Sequence, residues 1–479
     1  MATKGNDAFH DLVARIGADE LDRRRLMKRG AGLGIAASAI GSLLSVRGSA
    51  AQDATPVAEP QAQPTIVPAA GAVQLEYWEL PRGQASFMAQ LQDNVTEFNR
   101  THPEIYVTMR ELAFADYTQK ILAAVEAGDS PDMSGGGAGF PFVMAAQNQA
   151  LDITDLYQEW EADGTLADMS PWAYEKWDFG GMHPGITWQF DTRGIFYRKD
   201  LFEQADVAVP TTWEEFKAAA AALHKPDEGV MGIAVPGKQG SFDTVQFYMQ
   251  LLFQAGGSLA DEEGNPTFDT PEHLAALEFL KELVEKYAAP GTPSWAFTEV
   301  GRAFLQGTAA MAFEGGWFIR DLRQSASDML ENVGLLPPLE GPGGPDRRLV
   351  ISFANPWMLY AQSEHPEEAK TFLRWMMEPD NLRKLYESEP GAAWPVYRSL
   401  LDSPVYQENE LIATMAQHTV ENGVDYWYPN TAAAVGIASL GTSIADIIVN
   451  PVISGQRSPQ DALADAQASL GEMFQRPGA

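Results

Sequence analysis

The sequence predicts an α/β fold. Two observations carry that expectation. Beyond residue 72, short runs of alternating apolar residues take turns with segments whose apolar residues recur at helical spacing, and no heptad or short-period repeat breaks the pattern. The stretch that shows it is about four hundred residues long, as a prior two or three domains' worth.

The elements follow in order. "VQLEYWEL" (73–80) is a strand candidate with Val73, Leu75 and Tyr77 on one face. After a Pro81-Arg82-Gly83 break, Phe87, Leu91, Val95 and Phe98 fall at helical spacing. "IYVTMREL" (105–112) alternates again, and Asp116 can cap a helix carrying Tyr117, Ile121 and Val125. "PDMSGGGAGF" (131–140) reads as a short strand entering a glycine-rich loop. "GITWQFDTRGIFYRKDLF" (185–202) reads as two short strands joined through Asp191-Thr192-Arg193. Thr212 and Glu215 stand at capping-box spacing before a helix. Pro271 takes the first position of another, with Leu277, Leu280 and Val284 on one side. "AAMAFEGGWFIRDL" (309–322) is a buried strand that breaks at Gly315-Gly316, and Ser458, Pro459 and Asp461 mark the start of a last helix.

The N-terminal fifty residues read as an export label. Gly30 to Ser45 is apolar but rich in Gly, Ala and Ser, and falls short of the roughly 20 predominantly apolar residues that span a bilayer. A basic stretch precedes it, and Gly48-Ser49-Ala50 follows in the small-x-Ala pattern of a cleavage site. Arg23-Arg24-Arg25-Leu26-Met27-Lys28 resembles the twin-arginine consensus, which implies export of a folded protein. Residues 51–72, rich in Pro, Ala and Gln, read as a disordered linker. The chain has no Cys, so an exported product forms no disulfide and has no Cys to carry a lipid anchor. It is expected in the periplasm or outside the cell, as a monomer.

Charge narrows the partners. Residues 1–50 hold eight Lys/Arg and five Asp/Glu, which leaves 25 basic and 60 acidic residues in the remainder, a net of −35. Such a surface repels nucleic acid and anionic lipid and favours solubility.

Enzyme motifs are thin. There is no H-E-x-x-H, no G-x-S-x-G, no Walker A and no His pair at metal-binding helical spacing, so neither a cofactor nor a metal is expected. "GGGAG" (135–139) is either a turn or a loop that lets a ligand approach backbone N–H groups. Aromatic placement says more. Trp78 lies beside Glu79, Trp188 before Asp191, Trp317 after Glu314-Gly315-Gly316, Trp357 after Asn355, Trp394 after Gly391, and Trp427 between Tyr426 and Tyr428. Tryptophan at such junctions, beside carboxylates and amides, suits a ring-shaped polar ligand: the flat ring stacks on apolar faces while the polar groups bond hydroxyls. Core packing is the competing reading for each one, and Trp213 and Trp375, inside helices, are assigned to the core.

Seven segments in order then resemble a known family: "VTEFNRTHPEIYV" (95–107), "KILAAVEAGDSPDM" (120–133), "DTRGIFYRKDLFEQADVAVPTTWEEF" (191–216), "QAGGSLADEEG" (254–264), "FLQGTAAMAFEGGW" (304–317), "EEAKTFLRWMM" (367–377) and "ISGQRSPQDALADA" (453–466). From about residue 73 onward the chain is similar to bacterial extracellular solute-binding proteins of ABC importers, of the maltodextrin-like type that mostly binds sugars. The resemblance implies a type II periplasmic-binding-protein-like fold with two α/β lobes joined by hinge strands, and an ABC permease as partner. It places the crossings near 191–194, 350–352 and 395–399, with lobe one at 73–191 plus 352–395 and lobe two at 195–350 plus 400–479. Asp191 matches a hinge-proximal acidic residue that contacts sugar in relatives, and Trp317 matches the stacking aromatic of a Gly-x-Trp motif. The loop after Pro131-Asp132 departs from maltodextrin binders, which argues against maltose. Residue reading and resemblance together give Trp78, Glu79, Gly136, Phe140, Trp188, Asp191, Glu314, Trp317, Asn355, Trp357, Trp394 and Trp427 as the expected ligand site. A same-fold receptor for a polyamine or metal complex, its site built on Asp191, Glu79 and Glu314, stays open, as does an exported carbohydrate-active hydrolase.

Overall fold

A computed structural model describes residues 67–474 apart from 81–84, 114–116, 138, 262, 408 and 429–432. The export segment, most of the linker, the Pro81-Arg82-Gly83 break and the Asp116 cap lie outside these residues.

Among the described residues, eight strands form one hydrogen-bonded sheet. They are β1 (Val73–Glu79), β2 (Ile105–Glu111), β3 (Met133–Gly135), β4 (Ile186–Arg198), β5 (Met311–Gly315), β6 (Val333–Leu335), β7 (Val350–Leu359) and β8 (Gly423–Val424). Their order is β2-β1-β3-β7-β4-β5, with β6 beside β4 and β8 beside β7. β1 pairs in parallel with both β2 and β3, as expected where helices make the crossovers. β3 and β4 meet β7 antiparallel.

The periodic segments fold as their spacing predicts. Helix Ala85–Thr101 buries Phe87, Leu91, Val95 and Phe98 completely, and burying each such side chain is worth about 1.5–3 kcal/mol. Helix Trp213–Leu223 begins with the Thr212–Glu215 capping box, in which each side chain bonds the other residue's backbone N–H. Helix Pro271–Tyr287 buries Leu277, Leu280 and Val284, and Ser458 receives the Asp461 N–H ahead of helix Pro459–Phe474. Trp213 is buried against Phe279, with ring centroids 4.3 Å apart, and half-buried Trp375 packs on Phe98.

One expectation is corrected. Residues 186–198 are a single strand of 13 residues, not two strands joined at Asp191-Thr192-Arg193. Paired neighbours hold this triplet extended: Asp191 faces Phe353 and Thr192 faces Ser352 on β7, while Arg193 faces Gly315 on β5. Buried Thr192 Oγ1 also lies 2.7 Å from the hydroxyls of both Ser352 and Thr419. Those bonds satisfy a polar group that would be costly to bury alone. β4 therefore changes partners without breaking. Its first half lies on β7, and its second half on β5 and β6. Segment 395–399 has no such regular strand; Tyr397 makes an isolated bridge to Met169 before a 3-10 turn at Arg398–Asp402.

Candidate functional site

Where β4 changes partners, a charged and aromatic constellation gathers around Arg193. Arg193 and Gly315 are directly opposed in the antiparallel ladder, so they share a face. The chain leaves β5 at Gly315 and folds Trp317 back over it; a Cβ on residue 315 would overlap the Trp317 ring, which is why glycine is needed there. The Arg193 guanidinium then lies over that ring, 4.3 Å from its centroid, and 5.1 and 5.6 Å from the rings of Phe353 and Phe297. Its two terminal nitrogens donate to Asp191 Oδ1 and Oδ2 at 2.6 and 3.1 Å, and Nε donates to Gln246. Arg193 is buried, with 5% of its side chain exposed, whereas Asp191 keeps 27%.

A second aromatic group continues from Phe353. Phe242, Phe353 and Tyr426 form a triangle with centroids 5.7–5.8 Å apart, and Phe242 and Tyr426 are partly exposed. Beside it, the Lys176 ammonium bonds Asp425 at 2.7 Å and sits over Trp177 and Trp427, 4.3 and 4.5 Å from their centroids. Burial pushes Lys176 down to about 8 and raises Asp425. The short contact, with the Ala354 and Tyr426 N–H groups also donating to Asp425, holds the pair together.

The expected site residues fall into several groups. Asp191 and Trp317 meet through Arg193. Glu314 is next in the ladder, opposite Gly194 and buried beside Gly301, and burial raises its carboxyl well above the usual range. Trp188 and Trp357 are fully buried and stacked on each other at 4.4 Å and 5°, and Trp188 also stacks on Phe87. Glu79 is buried with them: its carboxylate accepts from Tyr77 Oη at 2.5 Å, Trp357 Nε1 at 3.0 Å and the Leu80 N–H at 3.0 Å. Gly135 makes room for that carboxylate. Asn355 is buried opposite Gln189. Trp394 is buried under Gly316 and exchanges backbone hydrogen bonds with Phe190. Trp427 is buried under Lys176. Trp78, also buried, bonds Glu76 and carries Arg110 over its ring. Gly136 packs beside Phe140, and the adjacent Gly137 N–H donates to Tyr117 Oη at 2.6 Å.

Sequence reading missed Arg193, Gln246, Phe242, Phe353 and Tyr426. A signal existed for Arg193: two residues from Asp191 on a continuous strand, it must lie on the same face. Nothing local announced the other four. Surface cavities of about 660 and 360 Å³ lie elsewhere, around Lys281, Arg457 and Asp461 and around Gln239, Pro293 and Asn450. In the first, Lys281 pairs with Glu285 and Arg457 with Asp465. Among the described residues no group of three His, Cys, Asp or Glu could hold a metal, and no helix is long and apolar enough to cross a membrane.

The bacterial extracellular solute-binding protein family matches this chain over residues 83–382. The chain belongs to that family. Among its relatives, the mannitol-binding protein of Pseudomonas aeruginosa is 26% identical over 339 residues, 66% of this chain and 75% of that protein. The maltotriose-binding protein of Pyrococcus abyssi is 21% identical over 353 residues, 71% and 72% of the two chains. A sugar transporter from Arthrobacter chlorophenolicus, solved with laminaribiose bound, superposes with a TM-score of 0.72 at 20% identity and covers 83% of this chain and 99% of that one. An ABC transporter solute-binding protein from Agrobacterium radiobacter, solved with ribitol, gives 0.70 at 23% identity, covering 84% and 99%. The fold is the two-lobe α/β fold of this family.

Proposed function

We propose that this chain is the extracellular solute-binding component of an ABC importer and captures a polar solute, a sugar or sugar derivative, where its two lobes meet. Lobe one comprises residues 73–191 plus 352–395 and lobe two residues 195–350 plus 400–479, and the ligand lies beside the Asp191–Arg193–Trp317 constellation. One observation carries this reading. At the point where β4 passes from one set of partners to the other, a partly exposed carboxylate and partly buried aromatic rings stand together. That is the combination a polyhydroxylated ligand uses, with hydroxyls on the carboxylate and C–H faces on rings. Mannitol and maltotriose in the names of two relatives, and laminaribiose and ribitol in two similar structures, are of the same chemistry.

The chain acts as a monomeric receptor that hands its ligand to a permease without turning it over. It works outside the cytoplasmic membrane and is not held there through a cysteine. Two of the three carboxylates that favoured a cationic ligand are placed for other roles. Glu79 is enclosed by three donors, and burial raises the Glu314 carboxyl well above the usual carboxylate range, which disfavours its charged form. A thermal-shift screen of the purified chain against mono- and oligosaccharides, sugar alcohols, polyamines and metal complexes tests the proposal. A ligand present at a hundred times its dissociation constant stabilises the folded state by about 2.7 kcal/mol. A shift with a polyhydroxylated class supports the reading, and a response to cations alone would overturn it.

A further inference from the structure

Arg193 has an unusual position for the charged residue nearest a partly open carboxylate. Every polar nitrogen of its guanidinium has a protein acceptor: Nη1 and Nη2 on Asp191, Nη1 also on the Asp191 carbonyl at 3.3 Å, and Nε on Gln246. The rings of Trp317, Phe353 and Phe297 surround it. Within the pair the cation is thus the buried partner, and Asp191, with 27% of its side chain exposed, is the one that presents an edge to solvent. Of the other acids nearby, Glu314 is fully buried with its Oε2 lacking a hydrogen-bond partner, and burial raises its carboxyl well above the usual range, while two others are answered locally. Asp243 accepts the Phe297 N–H at 3.2 Å, at the start of helix Phe297–Leu305, and Asp321 is bonded by Arg320 at 2.6 Å.

We infer that the Asp191–Arg193 pair sets the charge preference of the ligand site, so that it accepts a neutral polyhydroxylated solute and discriminates against amino and carboxylated counterparts of the same shape. The inference rests on the proposed location of the site. An ammonium placed against Asp191 meets a carboxylate whose charge Arg193 already balances, so it loses water without gaining a free counter-charge. A ligand carboxylate meets the exposed edge of Asp191 first, because the guanidinium lies behind it. Neutral hydroxyls can donate to the outer lone pairs of Asp191 without disturbing the pair. Breaking the balance should therefore reverse the preference in a direction fixed by which partner is removed.

The test uses the full chain, isothermal calorimetry and three matched hexose series, gluco, galacto and manno, each offered as the neutral sugar, the 2-amino sugar and the uronate. The wild type should prefer the neutral member of any series it binds. Arg193→Gln frees the negative charge and should raise the amino-to-neutral affinity ratio about tenfold or more; Asp191→Asn frees the positive charge and should raise the uronate-to-neutral ratio similarly. The double variant, neutral at both positions and still able to hydrogen-bond, should restore the wild-type ratios even if either single variant proves too unstable to measure. Ratios that stay unchanged in a variant that binds, a double variant that does not restore the wild-type ratios, or a wild type that prefers a charged member, would refute the inference alone. Absence of binding by the wild type across all three series, together with no thermal shift from oligosaccharides or sugar alcohols, would remove the sugar-site reading and the inference with it.

Discussion

Lowering the pH from 7.5 to 5 should draw a defined loss of folded-state stability from His273, whatever other groups contribute. His273 is fully buried near the start of helix Pro271–Tyr287. Its Nε2 lies 3.0 Å from the Ser258 carbonyl, which only accepts, so Nε2 carries the proton and Nδ1 accepts from Tyr248 Oη at 2.6 Å. Burial pushes the imidazole down to about 4, against a raising influence from the Ser258 bond and the Glu272 charge. The positive end of the helix dipole acts in the same direction as burial. Because the folded pKa lies below the unfolded value of about 6.5, the unfolded chain binds the proton first, and stability falls as pH drops below about 6.5 towards 4. The full difference of about 2.5 units corresponds to roughly 3 kcal/mol, of which about 2 kcal/mol is lost by pH 5. Urea denaturation at pH 7.5 and 5 measures it, with His273→Gln as the comparator: Gln stays neutral and can still donate and accept. The variant's loss between the two pH values should be smaller than the wild type's by about 2 kcal/mol. His418, also pushed down to about 4 by burial, remains in both chains and cancels. Equal losses in the two chains would refute the assignment.

Three further outcomes are expected. Trp317→Ala should weaken ligand binding by about tenfold or more in calorimetry while costing only about 1–3 kcal/mol of stability, since its ring is only partly buried; unchanged affinity would remove Trp317 from the site. Gly315→Ala should displace that ring from Arg193, because the added methyl overlaps it, at a cost of about 1–3 kcal/mol and with altered tryptophan fluorescence; a variant with native emission and affinity would contradict the packing described. Lys176→Met should cost about 3–5 kcal/mol by leaving Asp425 buried without its cation, and adding Asp425→Asn should recover most of the loss. A cost below about 1 kcal/mol in urea denaturation would show that the pair does not form.

Much of the fold is legible from periodicity alone. Phe87, Leu91, Val95 and Phe98 lie on one helical face, and the structure buries all four, because 3.6 residues per turn leave no other arrangement with a single apolar stripe. The capping box at Thr212 and the proline at position 271 mark helix starts for equally local reasons. The reading failed at Asp191-Thr192-Arg193, where three polar residues looked like a turn. They are a strand because Ser352, Phe353 and Gly315, distant in sequence, supply the ladder, and Thr419 meets the Thr192 hydroxyl. That error concealed Arg193, since the strand geometry that puts it beside Asp191 was not recognised.

The tryptophans show the same division. Sequence by itself determined that the chain alternates strands with amphipathic helices and that its ordered segments resemble a solute-binding family, but it put the tryptophans where strands end, whereas Trp188 lies within β4 and Trp357 within β7. It could not determine which rings face a ligand. Trp188 and Trp357 stack on each other because β4 and β7 are neighbours, and Glu79 is enclosed because Gly135 on β3 leaves space for its carboxylate. Only the tertiary structure decided these points. Local periodicity records which face of an element is apolar, whereas the exposure of one ring or the charge beside one carboxylate depends on partners that folding brings from elsewhere in the chain.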